Sequence, residues 1–337
     1  MSQSEPVPVI AEKWIAVADD MARMPVDEFL SMHWPGVSKG RIREMIRAGR
    51  ATVDGMRVLP GQRLSAGEIV LYDFDPTTLP QAKAQKIDLE ILYQDDDIVA
   101  VNKPPGIPVE PSRWGEHPLH LTGGMLHWAE GSVREDGAVA QRPRALHRID
   151  LGTSGVLLYA LNLDAERYYR ELFSSGGIKK IYHALIIGEM HDPVVVDEPI
   201  GPARGQNGQM GVVPKGGKPS LTEFVPLKRW QGYTLVEARP QTGRTHQIRV
   251  HAAWLGHPLV VDTRYGGADR LNLSHLKRSY RPKPGQEERP LIGRLTLHAK
   301  SVSFVDRQGA ERTIEASIPK DFLVVMKKLD RWLRVKR

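Results

Sequence analysis

The sequence predicts an α+β protein in two parts, a small two-helix, short-sheet module followed by a larger body built on a mixed, largely antiparallel sheet. Three observations carry this. The 337 residues exceed the roughly 250 at which one hydrophobic core stops growing. A polar stretch at residues 76–87, with two prolines, paired threonines and no apolar period, separates two runs of patterned sequence. Most apolar runs alternate over about four to eight residues between tight turns, as strands joined by hairpins do.

Composition narrows the function. Forty-seven Lys and Arg against 40 Asp and Glu give a net charge of +7, which suits a polyanionic partner. The absence of cysteine excludes disulfides, thiolate metal sites and a Cys nucleophile, and fits a reducing cytoplasm. No apolar run approaches the roughly 20 residues that span a bilayer. Met1 to Ile10 carry two prolines and no basic residue, unlike a secretory signal. A cytoplasmic monomer that does not meet a membrane is expected.

Residues 1–20 show no period and read as an N-terminal arm, ahead of a module over 21–75. There Val26, Phe29 and Leu30 recur at helical spacing, and Ser38 suits the cap of a second helix through Ile42, Met45 and Ile46, closed by Ala48-Gly49. Ala51 to Val53, the Asp54-Gly55 turn, Arg57 to Leu59 and Glu68 to Tyr72 read as strands. The second helix and its exit carry Lys39, Arg41, Arg43, Arg47 and Arg50 against Glu44 alone. Such a face suits a phosphate backbone, although charge alone favours a solvated helix.

The body, 88–337, opens with strands at Leu89 to Tyr93 and Ile98 to Asn102, then the rigid Lys103-Pro104-Pro105-Gly106-Ile107-Pro108-Val109. His117, His120 and His127 follow among glycines, without a carboxylate or thiolate at a recognised ligand spacing, so no metal is expected. Further strands are read at Ala145-Leu146, Val156 to Ala160, Lys179 to Gly188, Ser220 to Phe224 and Thr234 to Arg239, with a helix at Leu163 to Phe173. A helix capped by Thr245 is expected to carry Ile248, His251, Ala252 and Leu255 on one face. Arg294 to Ala299 and Val302 to Val305 read as a strand pair, and Lys320 to Trp332 as the last helix.

Between two buried strands stands His147-Arg148-Ile149-Asp150-Leu151-Gly152-Thr153-Ser154-Gly155. On spacing alone, Asp150 is either a reactive carboxylate or a turn residue accepting backbone hydrogen bonds. Nearly a hundred residues later comes Gly243-Arg244-Thr245-His246-Gln247-Ile248-Arg249-Val250-His251. Together these stretches resemble the two signatures of the RluA-like pseudouridine synthases, and Lys180-x-Tyr182-x-Ala184-x-x-x-Gly188 resembles that family's third active-site segment. Residues 24–73 resemble the alpha-L RNA-binding domain that precedes many such enzymes, with Pro25-Val26-Asp27 where Arg-Leu-Asp is usual.

The resemblance implies a synthase body with its cleft across the sheet and an isomerase acting on uridines in structured ribosomal or transfer RNA by base flipping. It implies neither metal nor small-molecule cofactor. Asp150 is the implied catalytic carboxylate, Arg249 the partner that keeps it charged, and Tyr182 a stacking residue and proton acceptor. Arg148, His147, Thr153, Arg244 and His246 are the implied RNA and base-flipping contacts. The rival reading is a catalytically inactive RNA-binding assembly factor. Against a hydrolase stands the absence of a Gly-x-Ser-x-Gly elbow.

Overall fold

The computed structural model describes residues 13–34, 37, 39–76, 83–111, 117–131, 143–203, 208–281 and 285–334. Ser38, the expected helix cap, lies outside them. The chain divides into two compact units, Met1–Ala84 and Gln85–Arg337. That boundary falls within residues 76–87.

In the first unit, β1 (Lys13–Ala16) is followed by α1 (Val26–His33), α2 (Lys39–Arg47), β2 (Ala51–Val53), β3 (Met56–Arg57) and β4 (Ile69–Tyr72). The strands form one sheet in the order β1-β4-β2-β3. Residues 13–16, read from sequence as part of an arm, pair with β4 through Trp14↔Leu71. Four residues are too few for a period to show. Asp54 and Gly55, at φ +47° and +77°, make the two-residue turn whose left-handed backbone matches strand twist. Phe29 and Leu30 of α1 and Ile42 and Ile46 of α2 close over Val53 and Val70, as their helical spacing predicts.

The second unit holds, in chain order, β5 (Glu90–Gln94), β6 (Ile98–Lys103), α3 (Leu121–Gly131), β7 (Arg144–Ala145), β8 (Ser154–Ala160), α4 (Leu163–Ser175), β9 (Lys179–Ile187) and β10 (Val194–Asp197). There follow β11 (Ile200–Pro202), β12 (Met210–Val212), β13 (Leu221–Trp230), β14 (Tyr233–Pro240), α5 (Gln247–Trp254), α6 (Leu273–Leu276), β15 (Leu297–Val305), β16 (Glu311–Glu315) and α7 (Lys320–Trp332). The main sheet runs β10-β13-β14-β9-β15-β8-β6-β5, with β16 paired to β15 and β7 to β8. Its pairs are antiparallel except β15 with β8, where His298 faces Ser154. The sheet is therefore mixed and largely antiparallel.

Alternate residues of the central strands enter different cores. In β6 and β8, Ile98, Ala100, Val156 and Leu158 pack with Ala165 and Tyr169 of α4, while Val99, Val101, Leu157 and Tyr159 pack with Leu121 and Met125 of α3. In β9 and β14, Ala184, Ile186 and Val236 meet Ile248 and Ala252 of α5, whereas Leu185 and Leu235 meet Phe322, Val325 and Leu329 of α7. Each large aliphatic or aromatic side chain so buried contributes about 1.5–3 kcal/mol, and helices on both faces leave the sheet little freedom to shift. Asn162 caps α4 by accepting the Ala165 amide at 2.8 Å, and Gly176 ends it at φ +81°.

Two readings are corrected. Residues 294–305 are no strand pair: Leu297–Val305 is one strand whose register shifts between Ala299 and Ser301, and its hairpin partner is β16. The extra residue Lys300 breaks the alternation that sequence reading depends on. α3 occupies a stretch where no helix was read, because Gly123 and Gly124 weaken a helical pattern. Both sit under close neighbours: a Cβ at Gly123 would meet Gln85 Oε1 at 2.3 Å, and one at Gly124 would meet Ile87 Cβ at 3.1 Å. No helix among the described residues is long and apolar enough to cross a membrane.

Candidate active site

The loop before β8 projects Asp150 into a cavity of about 730 Å³, whose wall includes Arg148, Tyr182, Arg244, His246 and Arg249. A second cavity of about 390 Å³ adjoins it, and Asp150, His246 and Arg249 line both.

The loop is held from below. Lys103, fully buried at the end of β6, donates through Nζ to the carbonyls of Pro104 (2.8 Å), Leu151 (3.1 Å) and Thr153 (3.0 Å). Burial pulls its pKa down to about 7, with Asp150 opposing and Arg294 assisting the fall. At Gly155, φ +114°, a Cβ would lie 2.1 Å from the Ala299 carbonyl of β15. Only glycine lets the loop enter the sheet there.

The opposite wall is the start of α5. Thr245 does not cap it; the N-cap residue is His246, without a side-chain cap. The buried Gln247 fixes the turn instead. Its Oε1 accepts from Thr242 Oγ1 (2.8 Å) and the Arg244 amide (3.0 Å), and its Nε2 donates to Leu221 O and Thr222 Oγ1, both at 2.9 Å. All four hydrogen-bonding sites of the amide are used, which ties residues 242–247 to β13. His246 itself is left-handed, at φ +58°, a conformation costing roughly 1–2 kcal/mol for a residue with a side chain.

One turn into α5, Arg249 is 7% exposed. Its Nε and Nη2 grip Asp262 at 2.7 and 2.8 Å, leaving Nη1 to reach Asp150 Oδ2 at 2.9 Å. Its guanidinium lies 4.9 Å from the Tyr265 ring centroid. Burial works against the charge, but hydrogen bonds to Asp262 and the charges of Asp150 and Asp262 outweigh it, raising the Arg249 pKa.

The other oxygen of Asp150 is open. Among the described residues no hydrogen bond reaches Oδ1, and His246 Nε2 stands 3.9 Å from it. Burial lowers the His246 pKa, Asp150 opposes this, and Arg249 and Arg264 add to it, so the imidazole is neutral near pH 7. Tyr182, on β9 at the cavity wall, has its phenol pKa raised by burial and by Asp150. A phenol so held keeps its proton and makes a poor proton acceptor at rest.

The other sequence-predicted residues divide. Arg148 has a largely exposed side chain, 3.7 Å from Glu110 Oε2, and Arg244 lines the cavity with Nε on the Pro219 carbonyl at 3.1 Å. His147 and Thr153 also line the cavity, and both have contacts within the loop's own framework. His147 Nε2 accepts the Leu158 amide at 3.1 Å, its ring lies 4.8 Å from Phe173, and burial with the nearby Lys180 pulls its pKa down to about 3. Neutral and tied to β8, it anchors the loop. Thr153 is 1% exposed and belongs to the loop's interior, its amide donating to Asp150 O at 3.0 Å.

In the first unit the basic residues are mostly paired. Lys39 bonds Glu28, Arg41 meets Glu44 at 2.8 Å, Arg43 meets the buried Asp27 at 2.6 Å and Arg50 meets Asp73 at 2.8 Å. Among the described residues no acid faces Arg47, which is exposed. Sequence reasoning missed Asp262 and Tyr265 as parts of the larger unit's site and gave Lys103 no role of its own in it. A buried aspartate in a turn and a lysine ahead of two prolines were the available signals.

A family model described as RNA pseudouridylate synthase matches residues 97–254. The ribosomal large subunit pseudouridine synthase C of Vibrio vulnificus (strain CMCP6) is 33% identical over 316 residues, covering 90% of this chain and 92% of that protein. The ribosomal large subunit pseudouridine synthase D of the same strain is 31% identical over 323 residues, 94% of each. Among solved structures, human RNA pseudouridylate synthase domain containing 4 matches with a TM-score of 0.55 at 25% identity, over 74% of this chain and 95% of that one.

Proposed function

The chain belongs to the RluA-like family of RNA pseudouridine synthases, and from that membership we propose that it isomerises uridines of large-subunit ribosomal RNA, with Asp150 as the reacting carboxylate. The observation that carries the assignment of Asp150 is its asymmetry: Oδ2 is held by Arg249 at 2.9 Å, while Oδ1 opens on the cavity.

The isomerisation breaks the bond from ribose C1′ to uracil N1, turns the base and forms a bond from C1′ to C5. The C5 proton leaves and N1 gains one, so the reaction balances without an oxidant or reductant. An ionised carboxylate serves as nucleophile or base towards the sugar, and a protonated one as neither. Arg249 favours the ionised form and fixes its direction. A paired uridine must leave its helix to reach Oδ1, at a cost of a few kcal/mol. The exposed Arg148 fills the vacated place, Tyr182 stacks on the flipped base, and Arg244 meets the backbone.

Ribosomal RNA is preferred to transfer RNA because the two bacterial relatives above are named for the large ribosomal subunit. The basic helix of the first unit adds a phosphate contact through Arg47, and the enzyme works as a cytoplasmic monomer. The inactive assembly-factor reading has no support among those relatives.

The test is pseudouridine mapping of large-subunit ribosomal RNA from cells with and without the protein. One or a few sites should vanish on deletion and return with wild type but not with Asp150→Asn. An unchanged ribosomal map, or full rescue by the variant, would sink the reading.

A further inference from the structure

We propose that His246 and Asp150 together bind the ribose 2′-hydroxyl of the target uridine, making His246 a catalytic-site residue that selects ribose over deoxyribose. The proposal rests on the uridine-isomerising reading above and goes further by naming the substrate group that the gap between these two side chains takes.

The proton on His246 can be located. Its Nδ1 lies 2.8 Å from the Tyr265 hydroxyl, and that hydroxyl accepts the Met210 amide at 3.1 Å. Among the described residues the phenolic proton has no acceptor other than Nδ1. A buried hydroxyl keeps its proton in a hydrogen bond, so Tyr265 donates and Nδ1 accepts. The neutral ring then carries its proton on Nε2, and Nε2–H faces Asp150 Oδ1 across 3.9 Å.

That separation is too long for a direct hydrogen bond and admits one bridging oxygen about 2.8 Å from each, with an angle of about 90° at that oxygen that a small outward shift of either side chain opens towards tetrahedral. The bridging group must accept from Nε2–H and donate to Oδ1. In a uridine within an RNA chain, O2 and O4 of the base only accept, N3–H only donates, and the 3′ and 5′ oxygens are esterified. The 2′-hydroxyl alone does both. It stands on the carbon next to C1′, so binding it brings Oδ1 to the reacting part of the sugar. It is also the group by which a protein tells RNA from DNA.

His246 has a second mark of a side chain held for use. It is the one residue other than glycine at positive φ among the described residues of the larger unit, and the ring so placed lies between Asp150 and Tyr265. Strain of this kind gathers at functional sites.

The experiment is a cycle between protein and substrate. Two synthetic stem-loops carry the mapped uridine, one with ribose and one with a single 2′-deoxyribose at that position. Single-turnover rates are measured for wild type, His246→Gly, His246→Asn and Asp150→Asn. Glycine suits φ +58°, so the variant relieves the backbone rather than straining it.

On ribose, His246→Gly should slow the reaction about tenfold or more, the worth of one hydrogen bond to a charged site. His246→Asn, which tolerates this backbone and keeps an N–H, should recover part of the rate. On deoxyribose, His246→Gly should be no slower than wild type, because the contact is already gone. Equal fold-losses on both RNAs, or a wild-type rate for His246→Gly on ribose, would overturn the proposal alone. Wild type as inactive as Asp150→Asn on the ribose stem-loop would overturn the enzymatic reading and the proposal with it.

Discussion

Asp262 grips the Nε and Nη2 of Arg249 at 2.7 and 2.8 Å, and this grip leaves a single guanidinium nitrogen for Asp150. The pair is buried, with Asp262 2% exposed, so Arg249 has little rotameric freedom. Asp262 acts on Asp150 through Arg249, because it decides where the Arg249 charge stands.

Replacing Asp262 by asparagine should therefore do two things. Breaking a buried pair costs about 3–5 kcal/mol, so the melting temperature should fall. Turnover should also fall, by about ten- to a hundredfold, as the arginine loses its aim. Calorimetry and single-turnover pseudouridine formation read the two losses separately. Unchanged turnover in a folded variant would refute the positioning role.

Lys103 makes stability depend on pH. Its native pKa is about 7, against about 10.4 for an unfolded lysine. Between those values the unfolded chain holds more protons, so the contribution of this residue to stability rises with pH across that window and is flat below it. The slope approaches about 1.4 kcal/mol per pH unit within the window. Lys103→Met should lose that slope, so that the difference in stability between the two proteins changes with pH in urea titrations at pH 6 to 10 (about the span of the two pKa values). It should also free the carbonyls of Leu151 and Thr153 and slow turnover. Parallel stability curves for the two proteins would contradict the assignment.

The basic residues of the first unit should separate by their partners. Arg47→Ala should weaken RNA binding uniformly across sequences and lower the slope of log affinity against log salt by about one. Arg43→Ala should instead cost stability, about 1–2 kcal/mol after allowance for its half-exposed position, because it leaves the buried Asp27 carboxylate short of a donor. Filter binding at several salt concentrations and thermal melts check both. A salt slope unmoved by Arg47→Ala would remove that residue from the RNA contact.

What was legible in the sequence follows its range. Strands such as Ile98–Lys103 and Ser154–Ala160, and helices such as Leu163–Ser175 and Lys320–Trp332, declare themselves through local apolar patterning, and Asp150 and Arg249 stood out through ordered motifs. The roles of Lys103, Asp262 and Tyr265 did not. Lys103 finds its acceptors 48 and 50 residues away, and Tyr265 meets the Met210 amide 55 residues back. Such pairings are made by tertiary approach and leave no period. The contact of His147 was hidden for the same reason: the Leu158 amide that its ring accepts lies 11 residues on.

The place of β15 in the sheet sets when the enzyme comes into being. Asp150 leads into β8 and Arg249 rides on α5 over β9 and β14, and the two halves of the sheet meet through β15, between β9 and β8. A nascent chain that has reached Trp254 already contains both residues but lacks Leu297–Val305, the strand that sets their registers. Translation at about 5–20 residues per second thus separates the making of the reactive groups from their union by several seconds. The growing protein acquires its activity only once β15 has been made, beside the ribosome whose RNA is its proposed substrate.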